Sequence, residues 1–261
     1  MTVPGLEAGL VQRLVERLRD LEPSAVAVVV TGSYAQETAD EDSDLDLRAV
    51  TRYEPSMGYQ TWFVEREGAK ALHVSVGANS VDTWLARRSE PPHWTLGFAA
   101  LYDGRYVWAT EDARARLGDP PSILLPPAPP ELEDFVEFLV KARRCARSRD
   151  APGNRLYARS AAVLAVRLLR CLNDEIVVSG PRDALEAALS LPVAPKHYRD
   201  DFSRCVGVVP AGDADVEEAV LRLGREVLAF LRERKPDVDP RPDISQYLAD
   251  GTLERHLGFA E

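Results

Sequence analysis

The sequence predicts an α/β (α+β) domain with a mixed sheet, followed by an all-α helical bundle. Three observations carry that expectation. Short apolar and alternating runs are confined to the first part of the chain, six prolines crowd residues 120–130, and long stripes of helical period fill the rest. Leu6, Leu10, Leu14 and Leu18 recur every four residues with charges between them, which predicts an amphipathic helix from Leu6 to Leu21. Ala25 to Val30 is a short β-branched run and reads as a buried strand. Asp44 to Val50 alternates polar and apolar residues, which reads as a second strand with both aspartates on one face. Gln60–Glu65 and Ala71–Val76, joined by a short turn, predict an antiparallel hairpin. A helix over Ser80–Arg88 capped by Ser80, a helical stretch over Trp94–Tyr102 and a small strand over Tyr106–Ala109 complete this part.

The proline cluster removes amide donors and blocks helix, so it reads as an extended linker. The expected domains are therefore 1–118, a linker over 119–130 and a helical domain over 131–261. Helices are expected over Glu131–Arg149, Asn154–Asn173, Asp183–Leu189 and Asp215–Arg234, the second so apolar that it should run through the core.

Composition excludes several classes. The 261 residues are 45% hydrophobic and 28% charged, which argues against general disorder. The net charge of −10 argues against nucleic acid as a partner and suits a small cationic one. No apolar run approaches the roughly 20 residues of a membrane span, and Met1–Leu21 lacks the apolar core of a signal peptide, so a cytoplasmic location is expected. Cys145, Cys171 and Cys205 are too widely spaced for a zinc site and read as buried thiols.

The chemistry is concentrated between Val30 and Leu47. A buried strand feeds the turn Gly32-Ser33, where glycine lets the backbone approach a ligand and a following helix would offer free amides to a phosphate. The next strand carries Asp44 and Asp46 side by side. Two adjacent carboxylates repel unless a cation lies between them, and their hard oxygens suit Mg²⁺. A phosphate cradle beside a Mg²⁺ site serves phosphoryl or nucleotidyl transfer. Each piece alone is commonplace in turns and solvated strands; their order in the chain is not.

That order resembles the polymerase-β-type nucleotidyltransferase superfamily, in which Gly-Ser precedes an Asp-x-Asp strand by about ten residues. Gly32-Ser33 and the run Asp42–Leu47 (DSDLDL) carry the resemblance. The two-domain layout is similar to that of the aminoglycoside adenylyltransferases. The resemblance implies an enzyme that moves a nucleoside monophosphate, AMP from ATP, onto the hydroxyl of a small, cationic acceptor such as an aminoglycoside. Asp44 and Asp46 would hold Mg²⁺, and Gly32 and Ser33 the triphosphate. The family adds a third carboxylate on a later strand; here His73 stands at the comparable place, a competent base near neutrality but a poorer Mg²⁺ ligand. Glu65 and Glu67 are alternative third carboxylates. A protein-adenylylating regulator and a catalytically silent nucleotide-binding module are the alternative readings.

Farther along, Lys141, Arg143, Arg144, Arg147 and Arg149, then Arg155, Arg159 and Arg167, form a basic cluster, and Arg182 follows a Ser-Gly-Pro turn. A transferase needs cations for the departing pyrophosphate, so Arg182 is a candidate triphosphate ligand and the others are either that or a solvated face. Trp62, Trp84, Trp94 and Trp108 read as packing residues. His93 and His256 carry no pattern beyond their apolar neighbours, and His197 lies in a polar turn.

Overall fold

The structure, a computed structural model, describes residues 3–66, 68–87, 89–102, 104–118 and 123–259. The chain runs α1 (Ala8–Leu21), β1 (Ala25–Thr31), the single turn α2 (Ser33–Gln36), β2 (Leu45–Thr51), β3 (Gln60–Arg66), β4 (Ala69–Ser80) and α3 (Val81–Arg87). It continues through β5 (Ala99–Tyr102), β6 (Gly104–Ala109), α4 (Glu111–Leu117), β7 (Ile123–Leu125), α5 (Leu132–Arg147), α6 (Ala151–Leu169) and β8 (Val177–Val178). Then come α7 (Pro181–Leu189), α8 (Tyr198–Val206), α9 (Asp213–Arg234), α10 (Pro242–Ala249) and α11 (Thr252–Leu257). Two compact units result, one of Met1–Glu90 with Leu101–Leu125, the other of Pro91–Ala100 with Pro126–Glu261.

The first unit is built on a five-stranded mixed sheet of order β3-β4-β2-β1-β6. β2 and β4 are parallel, and the other neighbours are antiparallel. The two faces of the sheet differ. On one, Val28, Val30, Leu45, Leu47, Ala49, Leu72, Val74 and Val76 pack with Leu10, Val11, Leu14, Val15 and Leu18 of α1. The leucine stripe of α1 exists because leucines four apart share a helix face. On the other face, Ala27, Val29 and Val50 pack with Val81 and Trp84 of α3 and with Ala113 and Leu117 of α4. β1 is therefore buried on both sides, which is why its residues read as an unbroken apolar run. α3 is capped as expected, with Ser80 Oγ accepting from the Thr83 amide at 3.3 Å.

In the second unit α5, α6, α8 and α9 pack on one another, with α6 at the centre. Ala158, Ala161, Ala162, Ala165, Val166, Leu168 and Leu169 of α6 are buried, matching its apolar sequence. Gly224 of α9 lets α5 come close: a Cβ there would lie 2.7 Å from Leu139 Cδ1. α8 and the short tail helices α10 and α11 were not expected from the sequence.

The stretch Trp94–Tyr102 is a correction. It forms a 3₁₀ turn over His93–Thr95 and then strand β5. Leu96 and Gly97 take φ of 54° and 96°, which ends any helix. Gly97 is required there, since a Cβ would lie 2.5 Å from Arg167 Cγ. Ala99–Ala100 pair in parallel with Val177–Val178, so the helical unit also carries a small strand ladder. Cys205 is buried and its thiol is pushed up to about 12 by burial, while Cys145 and Cys171 are partly buried free thiols.

Candidate active site

The site lies at one end of the sheet face that α3 and α4 cover at the other end. Strand register sets its composition. Thr31 pairs with Asp46, and Asp46 with Ser75. Arg48 pairs with Gly77, and His73 with Phe63. Paired residues share a face, and alternate residues repeat on it. Asp46, Arg48, His73, Ser75 and Gly77 therefore stand on one face, while Leu45, Leu47, Leu72, Val74 and Val76 point into the core beneath α1.

Gly32 is fixed by its surroundings. Its φ of 71° and ψ of −153° belong to a region that glycine alone occupies readily. A Cβ at Gly32 would also lie 2.9 Å from Asp46 Oδ2. The turn and the acidic strand thus meet at van der Waals contact. α2 is one turn long, so it contributes end amides rather than a sizeable macrodipole. Its first internal bonds run from the Ala35 and Gln36 amides to Gly32 O, which leaves Ser33 and Tyr34 at the donor end. The turn is clamped from β6: Arg105 Nε donates to Ala35 O at 2.7 Å, and Arg105 Nη2 pairs with Glu37 Oε1 at 2.5 Å. Glu37 itself sits at φ 62°, closing α2 in the left-handed region.

Asp44 precedes β2 and Asp46 lies within it. Burial holds the Asp46 carboxyl above the ordinary aspartate range; Arg48 opposes that, and the charge of Asp44 adds to it. Ser75 donates to Asp46 and is joined in turn to the Tyr59 hydroxyl. The His73 ring lies 3.7 Å from Asp44, between Nδ1 and Oδ2, and stacks on exposed Phe63 with ring centres 5.2 Å apart. Glu65 is exposed beyond Phe63 on β3; Glu67 lies outside the described residues. Among the described residues no cluster of three or more His, Cys, Asp or Glu side chains is arranged to hold a metal. The acidic pair nonetheless fits a divalent cation. Mg²⁺ is often held by one or two carboxylates together with substrate phosphates, and two crowded carboxylates, one of them desolvated, are relieved by such a charge.

The structure thus brings Gly32, Ser33, Asp44, Asp46 and His73 together in the first unit. It places Arg182 in the second unit, on α7, where it is 92% exposed and paired with Glu186 at 2.8 Å. Much of the basic cluster has local partners: Lys141 with Glu137, Arg155 with Asp213, Arg167 with Glu131. The acidic loop after α2 is also largely committed. Asp42 pairs with Lys70 at 2.5 Å, and Asp40 accepts from Ser43 and from the Asp42 amide, which lowers its pKa. Sequence reasoning missed Ser75, Tyr59, Arg48 and Arg105, because only strand register brings them to the motif.

Comparison with known proteins agrees with this geometry. A nucleotidyltransferase domain model matches residues 11–76, and a model of the nucleotidyltransferase substrate-binding domain matches residues 131–233. The first match spans Gly32, Ser33, both aspartates and His73; the second spans α5 to nearly the end of α9. With a nucleotidyltransferase domain and the substrate-binding domain of such enzymes, the chain is a nucleotidyltransferase. Domains of this kind use a nucleoside triphosphate and a divalent metal. No curated protein matches the chain. A crystal structure of a nucleotidyltransferase-like protein from Exiguobacterium sibiricum 255-15 is similar at 12% identity, over 95% of this chain and 90% of that one, with a TM-score of 0.36. At that score the likeness carries no functional weight. Among the described residues no helix is long and apolar enough to cross a membrane.

Proposed function

We propose that the protein transfers AMP from ATP to a hydroxyl of a small cationic acceptor of the aminoglycoside kind, with Mg²⁺ held by Asp44 and Asp46. The observation that carries this reading is the contact of the Gly32 turn with Asp46, which sets a phosphate cradle directly against the acidic pair. Gly32 and Ser33 receive the triphosphate. The acceptor oxygen attacks the α-phosphorus, the bond to pyrophosphate breaks, and His73 takes the hydroxyl proton. His73 is suited to that task by its place beside the acidic pair, with Nδ1 3.7 Å from Asp44 Oδ2. The bound metal neutralises phosphate charge and polarises the reacting oxygens. Residues 1–118 supply the nucleotide chemistry, 119–130 the linker and 131–261 the acceptor site. The net charge of −10 supports a cationic acceptor, and the substrate-binding domain match over 131–233 supports an acceptor site in that part of the chain; the reaction is proposed to run in the cytoplasm.

The test is transfer of label from the α-phosphate of ATP to a panel of hydroxyl compounds, aminoglycosides first. Wild-type protein is expected to yield a labelled small molecule of increased mass. Asp44→Ala/Asp46→Ala should lose at least about a thousandfold in rate. Undiminished transfer by that variant overturns the assignment.

A further inference from the structure

The acidic pair has a cation of its own. Arg48 lies two residues after Asp46 on the same strand face, with Nη2 3.4 Å from Asp46 Oδ1. Its Nη1 donates to Leu47 O at 3.3 Å. The side chain is only 27% exposed, so it is folded along the sheet instead of reaching into water. The neighbouring strand makes room for it. Gly77 is the register partner of Arg48, and a Cβ there would lie 3.0 Å from Nη1 and 3.6 Å from Cδ. Any larger residue would press on the guanidinium. The place opposite Asp46 on that strand holds the neutral Ser75, which donates to Asp46. A partly desolvated carboxylate therefore has a guanidinium on one side and a hydroxyl on the other.

Resting on the reading of Asp44 and Asp46 as metal ligands, we propose that Arg48 is a positioning residue that competes with the divalent cation for Asp46. The guanidinium holds the carboxylate in place and neutralises part of its charge until the metal arrives. Guanidinium and cation repel one another at so short a separation, so the metal ion alone binds weakly. A triphosphate adds the negative charge that restores the balance. The cation thus enters with the nucleotide, not ahead of it.

Binding of Mn²⁺ alone, followed by electron paramagnetic resonance above neutral pH on the full chain, tests this without any turnover. Arg48→Met, which keeps the aliphatic stem, is expected to bind Mn²⁺ about tenfold more tightly than wild type, the size of one partly screened charge contact. Arg48→Gln should do the same, and Arg48→Lys should restore the weak wild-type affinity. Equal or weaker Mn²⁺ binding by both neutral variants overturns the competition. Asp44→Asn and Asp46→Asn should lose Mn²⁺ binding. If they bind as wild type does, the acidic-pair reading itself falls. If they lose binding while the Arg48 variants are unchanged, only the role of Arg48 falls.

Discussion

Asp46 and Asp201 are both aspartates drawn out of water, and burial raises the pKa of each. Their surroundings are opposite. Asp201, in α8, has a side chain with no exposed surface and two short bonds from Arg222 of α9, 2.9 Å from Nε and 2.6 Å from Nη2. That fork is bidentate and ties one helix to the next. Asp239 repeats the device with Arg241 at 2.8 Å, and there the pKa is lowered by the arginine's hydrogen bonds. Asp46 has a single longer contact to Arg48, a second carboxylate nearby and a side chain still 29% exposed. A buried carboxylate with a matched fork holds a fold together. A half-buried one with a loose partner and a like charge beside it stores an unmet demand for positive charge, and that marks a site.

The contrast can be broken most sharply at Asp201. Asp201→Ala removes the buried carboxylate and leaves Arg222 with Glu218 at 2.8 Å, and should cost about 1.5–3 kcal/mol by denaturant unfolding, while transfer per folded molecule stays near wild type. A loss below about 1 kcal/mol would place that pair with ordinary surface bridges. Gly32→Ala comes next. The glycine-only backbone and the contact with Asp46 Oδ2 predict a loss of about 1–3 kcal/mol together with a fall in nucleotide binding.

The smallest effect has the opposite sign. The Asp46 pKa is higher in the folded chain than in the unfolded one, so its charge weakens the fold above that folded value. Asp46→Asn should therefore gain up to about 1 kcal/mol at neutral pH while losing metal binding. The gain should shrink as pH falls through the folded pKa of Asp46, where wild type takes up its proton. For the same reason the acid limb of metal binding should lie above the ordinary aspartate range near ~3.9. An Asp46→Asn variant less stable than wild type at neutral pH would show that the carboxylate is a structural one.

How far the chain could be read depended on the range of each interaction. The leucines of α1, the apolar run of β1 and the alternation of β2 are local patterns, and each appears where its period places it. α8 left a usable trace in Tyr198, Phe202 and Cys205, spaced for one helix face, but its intervening charges hid it. Trp94–Tyr102 misled because its apolar content suits helix or strand equally, and the decision fell to Leu96, Gly97 and the crowding of Arg167 against Gly97.

By itself the sequence determined the run of elements from α1 through β4 and the local motif: a glycine turn, a short spacer, and two aspartates on one strand face. Those follow from side-chain period and backbone freedom over a few residues. Only the tertiary structure decided that Gly32 touches Asp46, that Ser75 and His73 stand beside the pair, and that Gly77 opens space for Arg48. Such contacts depend on which strands pair and in what register. Burial of the two sheet faces selects that pairing over the whole domain, and no short stretch of chain contains it.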